Sequence, residues 1–262
     1  MLKDKLYKEF QNKGFCIIKD FFSKNELEKI NYALNNIIYK ISDSKKFEKI
    51  KSLDSVQFKN NFDKLKSNYP SKAGAIYDTV QTSLALQSLL TSKKIIKILC
   101  FFLDLKNETF ILNFFKSIRL DLPKKDNHLL SWHQDFMDTS KKNFDYSKGI
   151  TIWAPLNKVN KTNGSMELCI GSQKKRVGII SKKRKNINAS EYLDIDKKVI
   201  KKYKKEIINC NRGDVVIMNM NCIHRSVSGK SNILRKTIIS RYIDINSNGF
   251  VPGAIKFTPS SS

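Results

Sequence analysis

The chain has 262 residues and carries 49 Lys and Arg against 24 Asp and Glu, a formal charge of +25. With 40% hydrophobic and 28% charged residues, it reads as one globular unit long enough to bury a core, which excludes a disordered or low-complexity chain. Five cysteines, odd in number and with no C-x-x-C spacing, exclude a disulfide framework or a structural zinc site and fit a reducing cytoplasm.

The N-terminus, Met-Leu-Lys-Asp-Lys, lacks the apolar core of a signal peptide. The most apolar segment, Ile95 to Leu103, is interrupted by Lys97 and too short to span a bilayer. The lysine pairs are scattered rather than gathered into a stripe with interleaved aromatics. The charge therefore reads as compositional, against a nucleic-acid surface, while its excess would favour an anionic small substrate.

In chain order, Leu2, Leu6 and Phe10 recur at helical spacing, and Gly14 is placed to end that helix. Phe15 to Ile18 reads as a short buried strand. Ser23 and Glu26 form a capping box ahead of an apolar stripe through Leu27, Ile30, Leu34, Ile37 and Ile41. Residues 42–70 are polar and irregular, with isolated aromatics, and take no assignment. Ala73 to Leu90 is helix-compatible, and Ser92 caps a further helix through Leu103. Residues 1–106 are thus mostly helical.

After Asn107 the character changes. Thr109–Phe115 and Ser117–Leu122 are rich in β-branched and aromatic residues and read as strands ending at Pro123. Lys124–His128 is a polar loop. Gly149–Leu156, Ser165–Ile170, Val215–Met218 and Arg235–Ile245 are further strands, with Asn163-Gly164 as a hairpin-type turn. A lysine-rich insert around 172–210 is either a solvated loop or a lid. The tail, Thr258–Ser262, is small and polar.

The chemistry gathers at Ser131-Trp132-His133-Gln134-Asp135. On an extended chain His133 and Asp135, two residues apart, share a face. His224 would complete a set of two imidazoles and one carboxylate, the facial triad suited to a non-haem Fe(II) oxygenase. Only three histidines exist, and two fall where this site needs them; His128 reads as structural or incidental. Eleven residues after His224, Arg235 offers a planar cation for a carboxylate co-substrate, and Ser226 could add a hydroxyl. Arg235, Thr237, Ile239 and Arg241 share one face of the last strand, with Arg241 read as a surface or sheet-edge charge.

Trp132-His133-Gln134-Asp135, Trp153-Ala154-Pro155-Leu156, Asn163-Gly164-Ser165, Gly171-Ser172, Gly213-Asp214-Val215-Val216 and His224-Arg225-Ser226 with Arg235 together resemble the phytanoyl-CoA dioxygenase family. The opening Gly14-Phe15-Cys16-Ile17-Ile18 is similar too, so the likeness spans nearly the whole chain. The resemblance implies an α+β fold with a mainly β core, a double-stranded β-helix (jelly roll) with N-terminal helices packed outside. A helical part over 1–106 and a jelly-roll core over 107–257 would make one domain.

It further implies Fe(II) on His133, Asp135 and His224, and 2-oxoglutarate held by Arg235 with Ser226 nearby. Gln134 would line the pocket, Arg119 and Trp153 would face substrate, and O2 would be the oxidant, with succinate and CO2 released. Gln173 stands where the family often has His after the Gly-Ser turn. Asp135 is retained, whereas halogenating relatives lack that carboxylate, so hydroxylation is favoured. The alternatives are a cupin-like metal-binding jelly roll without oxygenase activity and a basic nucleic-acid-binding protein. Arg235 at its spacing from His224 weighs against the first.

Overall fold

The structure, a computed structural model, describes residues 2–43, 45–48, 52–123, 129–135, 147–175, 179–182 and 192–251. The loop at 124–128 with His128, part of the insert and the 258–262 tail lie outside the described residues.

Among the described residues, seven helices precede residue 107: α1 (Leu2–Lys13), α2 (Lys24–Ser42), α3 (Lys45–Glu48), α4 (Val56–Asn68), α5 (Pro70–Gln81), α6 (Leu84–Leu90) and α7 (Lys93–Leu103). Gly14 ends α1 at φ +88°, donating its N–H to the Phe10 carbonyl; a Cβ there would stand 2.5 Å from Gln173 Oε1. The Ser23–Glu26 box caps α2, with both reciprocal bonds formed.

Within the helical part, two stretches differ from the sequence reading. Residues 56–68, left unassigned, form α4 because Phe58, Phe62 and Leu65 bury on one face behind the Ser55 N-cap. The single helix expected over 73–90 is two, α5 starting on Pro70 and α6 on Leu84, with the break at Thr82-Ser83.

The β core follows. A five-stranded antiparallel sheet has the order β1 (Phe15–Ile18), β8 (Val215–Asn219), β3 (Gly149–Pro155), β10 (Arg235–Asp244) and β2 (Ile111–Asp121). The two strands expected over 109–122 are one continuous strand, β2. A three-stranded sheet has the order β7 (Lys205–Ile207), β4 (Ser165–Cys169) and β9 (His224–Val227). Within the insert, β5 (Ile179–Lys182) and β6 (Tyr192–Ile195) pair with each other, and α8 (Lys197–Ile200) follows. Asn163-Gly164 closes a tight turn on Asn160 rather than a hairpin of adjacent strands, because β3 and β4 belong to different sheets.

Side-chain alternation sorts the core into two layers. Ile150, Ile152 and Ala154 of β3, Val215 and Ile217 of β8, Ile118 and Leu120 of β2 and Ile238 of β10 pack against the helices. Trp153, Val216 and Met218 point the other way and meet Met166 and Leu168 of β4 between the two sheets. This two-sheet core with helices outside is a jelly roll. Opposite Arg241 and Tyr242 the register of β2 slips: Arg241 pairs with Phe115 but Tyr242 with Asn113. Beyond that bulge Leu112 and Phe114 pack with Ile243 and Met220.

On the helix side of β10, Lys236 is fully buried and ion-paired with Asp54 ahead of α4. Burial works against its ammonium and lowers its pKa, with Asp54 opposing. Asp54→Ala should therefore cost ~2 kcal/mol by leaving that charge unpaired, and Lys236→Met in the same chain should recover most of the loss. Denaturant melts of the two variants measure both effects.

Candidate metal centre

The residues 130–135 run antiparallel along the outer edge of β9. His133 and His224 exchange both backbone hydrogen bonds, each 2.9 Å, with Ser226 N–H donating to Leu130 and Asp135 N–H to Met220 on either side. Directly opposed residues of an antiparallel pair project to the same face, so the two imidazoles stand side by side with ring centroids 4.1 Å apart. Asp135, two residues on, shares that face. One donor atom from each of the three lies within 4.8 Å of the others.

The imidazoles are oriented from behind. His133 Nδ1 lies 2.6 Å from the Ser131 carbonyl and His224 Nδ1 lies 3.0 Å from the Cys222 carbonyl. A carbonyl only accepts, so each Nδ1 carries the proton and each Nε2 offers its lone pair. His133 Nε2 is buried without a hydrogen-bond partner. Burial, reinforced by the neighbouring His224, depresses the His133 pKa to about 3. Burial depresses His224 as well. Both rings are thus neutral, the form that ligates a metal.

Asp135 is anchored from the five-stranded sheet. Thr151 on β3 and Arg241 on β10 are direct cross-strand partners. Thr151 Oγ1 donates to Asp135 Oδ2 at 2.5 Å, and the Arg241 guanidinium pairs with Oδ1. Arg241 also lies over the Phe115 ring, its partner on the β2 side, 4.6 Å from the centroid. Burial alone would raise the Asp135 pKa, but Arg241, the two histidines and Thr151 outweigh it and hold the carboxyl at about 2. An ionised carboxylate, two neutral imidazoles and an orphaned buried nitrogen fit a divalent cation with open positions.

These groups line one cleft, together with Arg119, Trp153, Ser226 and Arg235. Arg235 is buried and reaches between the sheets: Nη1 donates to the Ser165 and Val227 carbonyls, Nε and Nη2 to Asp121. Gln134 lies outside that lining. Strand alternation turns it away from His133 and Asp135, and its amide donates to the Asn221 carbonyl at 2.5 Å.

The family model for phytanoyl-CoA dioxygenase matches residues 10–237. The chain belongs to the phytanoyl-CoA dioxygenase family.

No curated protein sequence matches the chain. Solved structures share the fold at low identity. The epimerase SnoN, crystallised with Fe3+, alpha ketoglutarate and nogalamycin RO, aligns at 13% identity and TM-score 0.60, covering 98% of this chain and 93% of SnoN. EctD from S. alaskensis, with 2-oxoglutarate and 5-hydroxyectoine, aligns at 13% and 0.60, covering 98% and 84%. The carbocyclase SnoK from nogalamycin biosynthesis aligns at 16% and 0.60, covering 98% and 91%.

Within this phytanoyl-CoA dioxygenase fold, seven of the eight residues singled out from the sequence fall on one cleft: His133, Asp135, His224, Arg235, Ser226, Arg119 and Trp153. Three partners were missed: Thr151, Arg241 and Asp121. Alternation alone places Thr151 on the face of Trp153, and Arg241 on the face of Arg235. Nothing local says that either reaches Asp135.

Two outcomes follow from this geometry. In the metal-free chain, stability should fall as pH drops from 6.5 to about 3, because unfolded imidazoles take protons that the buried ones refuse. Melting temperature against pH in chelator reads this, and a His133→Gln/His224→Gln double variant should flatten the slope. Thr151→Val should weaken Co(II) or Fe(II) binding about tenfold by freeing Asp135 to turn; calorimetric titration of the metal measures it.

Proposed function

We propose that this chain is an iron(II)- and 2-oxoglutarate-dependent dioxygenase that hydroxylates a small molecule with release of succinate and CO2. The observation that carries the reading is the convergence of His133, Asp135 and His224 in one buried cleft, with the His133 Nε2 lone pair unclaimed. Iron, when bound, supplies the O2 activation and the oxidising step.

The chain's own groups hold, orient and shield. His133 and His224 present Nε2 from one edge of the smaller sheet. Asp135 is kept ionised and fixed in rotation by Thr151 and Arg241. Arg235 supplies the cation for the distal carboxylate of 2-oxoglutarate, with the Ser226 hydroxyl in the same cleft. Trp153 and Ile239 form apolar wall, which limits water at the reacting centre. The retained Asp135 carboxylate supports hydroxylation over halogenation.

The substrate we infer is anionic. Arg119 and Arg225 line the cleft, and Arg225 is partly exposed, stacked on Trp132 and paired with Glu167. The excess positive charge adds a long-range attraction. A cytoplasmic setting agrees with five free cysteines, and no helix among the described residues is long and apolar enough to cross a membrane.

Anaerobic addition of Fe(II) and then 2-oxoglutarate should give the visible charge-transfer band of the chelated co-substrate. His133→Ala should abolish it, and Arg235→Ala should raise the 2-oxoglutarate concentration needed. A folded chain that binds Fe(II) but shows no band at any 2-oxoglutarate concentration overturns the reading.

A further inference from the structure

β10 and β2 run antiparallel in a register that sets Arg235 directly opposite Asp121 and Thr237 directly opposite Arg119. Arg119 and Asp121 are two residues apart, so both face the cleft with Arg235. The three form a compact chain of charges. Asp121 Oδ1 accepts from Arg119 Nη2 at 2.7 Å, while Oδ2 accepts from Arg235 Nη2 at 2.8 Å and Nε at 3.2 Å. Asp121 and Arg235 are each less than a tenth exposed.

The donor count at Arg235 is informative. A guanidinium has five N–H bonds. Nε and one proton of Nη2 go to Asp121; both protons of Nη1 go to the Ser165 and Val227 carbonyls, at 2.6 and 3.3 Å. One N–H remains, on Nη2. A carboxylate clamped bidentately needs two parallel N–H groups, so a co-substrate carboxylate can be held that way only if a resident acceptor leaves. The carbonyls belong to the paired backbone of β4 and β9 and are fixed. Asp121 is a side chain, carries the same charge as the incoming carboxylate, and already has a second cation to hold it.

We propose that Asp121 is a resident counter-ion that competes with 2-oxoglutarate for Arg235, and that Arg119 takes Asp121 over when the co-substrate binds. This rests on the reading of Arg235 as the co-substrate cation. The competition raises the co-substrate concentration needed for occupancy, and it keeps the buried Arg235 and the half-buried Arg119 compensated when the cleft is empty. Burial alone would raise the Asp121 pKa, but Arg119 and Arg235 hold it at about 2, so the competitor is charged throughout the neutral range.

The test is direct binding. 2-Oxoglutarate is titrated calorimetrically into Co(II)-loaded protein under nitrogen for wild type, Asp121→Asn, Arg119→Met and the double variant, with Co(II) affinity and melting temperature recorded for each. Asp121→Asn should tighten 2-oxoglutarate about tenfold with Co(II) affinity unchanged, and Arg119→Met should weaken it about tenfold. In the Asp121→Asn background, Arg119→Met should change nothing, because no competitor remains to be held. If Asp121→Asn leaves the affinity unchanged or weakens it, Asp121 only positions Arg235 and the proposal falls. Should Asp121→Asn fail to fold, Arg119→Met alone decides: unchanged or tighter binding overturns the proposal. If Co(II) binds but neither wild type nor Asp121→Asn binds 2-oxoglutarate, it is the co-substrate reading of Arg235 that fails, and the proposal with it.

Discussion

The two-residue period of β10 divides the molecule. Its even residues, Lys236, Ile238, Ser240 and Tyr242, turn toward the helices; its odd residues, Arg235, Thr237, Ile239 and Arg241, turn into the space between the sheets. Because β10 lies between β3 and β2, Thr237, Ile239 and Arg241 are each flanked by one residue on either side. Thr151 and Phe115 flank Arg241; Asp121 stands beside Arg235. Arg235 finds its compensation, Asp121, through this register. A slip of one residue would turn both arginines into the helical layer and Lys236 into the cleft.

The same register explains how two sheets make one centre. His133 and His224 are tied through their own backbones on the edge of the smaller sheet. The third donor, Asp135, is held by side chains of the larger sheet. The donor set therefore spans the sandwich. Its geometry depends on the Trp153, Met166, Leu168 and Met218 layer that fixes the sheet spacing.

Much of this was legible in the chain. Histidine scarcity made His133 and His224 conspicuous, and a spacing of two put Asp135 on the right face. Arg235 stood out as a planar cation eleven residues after His224. The capping box at Ser23 and the stripe behind it located α2. What escaped detection is non-local. The fact that Asp121 lies opposite Arg235, 114 residues away, depends on strand order and register, which no spacing within one segment encodes. The family resemblance put Gln134 in the pocket, yet alternation sends it to Asn221. The helix α4 was obscured because its three buried residues sit among lysines and asparagines, and the break after Gln81 has neither Gly nor Pro to mark it.

The bulge on β2 reaches further than one irregular pair. On its C-terminal side the odd residues Phe115, Ser117, Arg119 and Asp121 face inward; on its N-terminal side the parity is exchanged, and the even residues Leu112 and Phe114 join Ile243 and Met220. Among the described residues, this sets an apolar cluster past Arg241 along β10, while Arg119, Asp121 and Arg235 lie toward the strand's other end. The barrel interior thereby acquires a direction. Charge gathers toward one end of the β2–β10 pair and hydrocarbon toward the other.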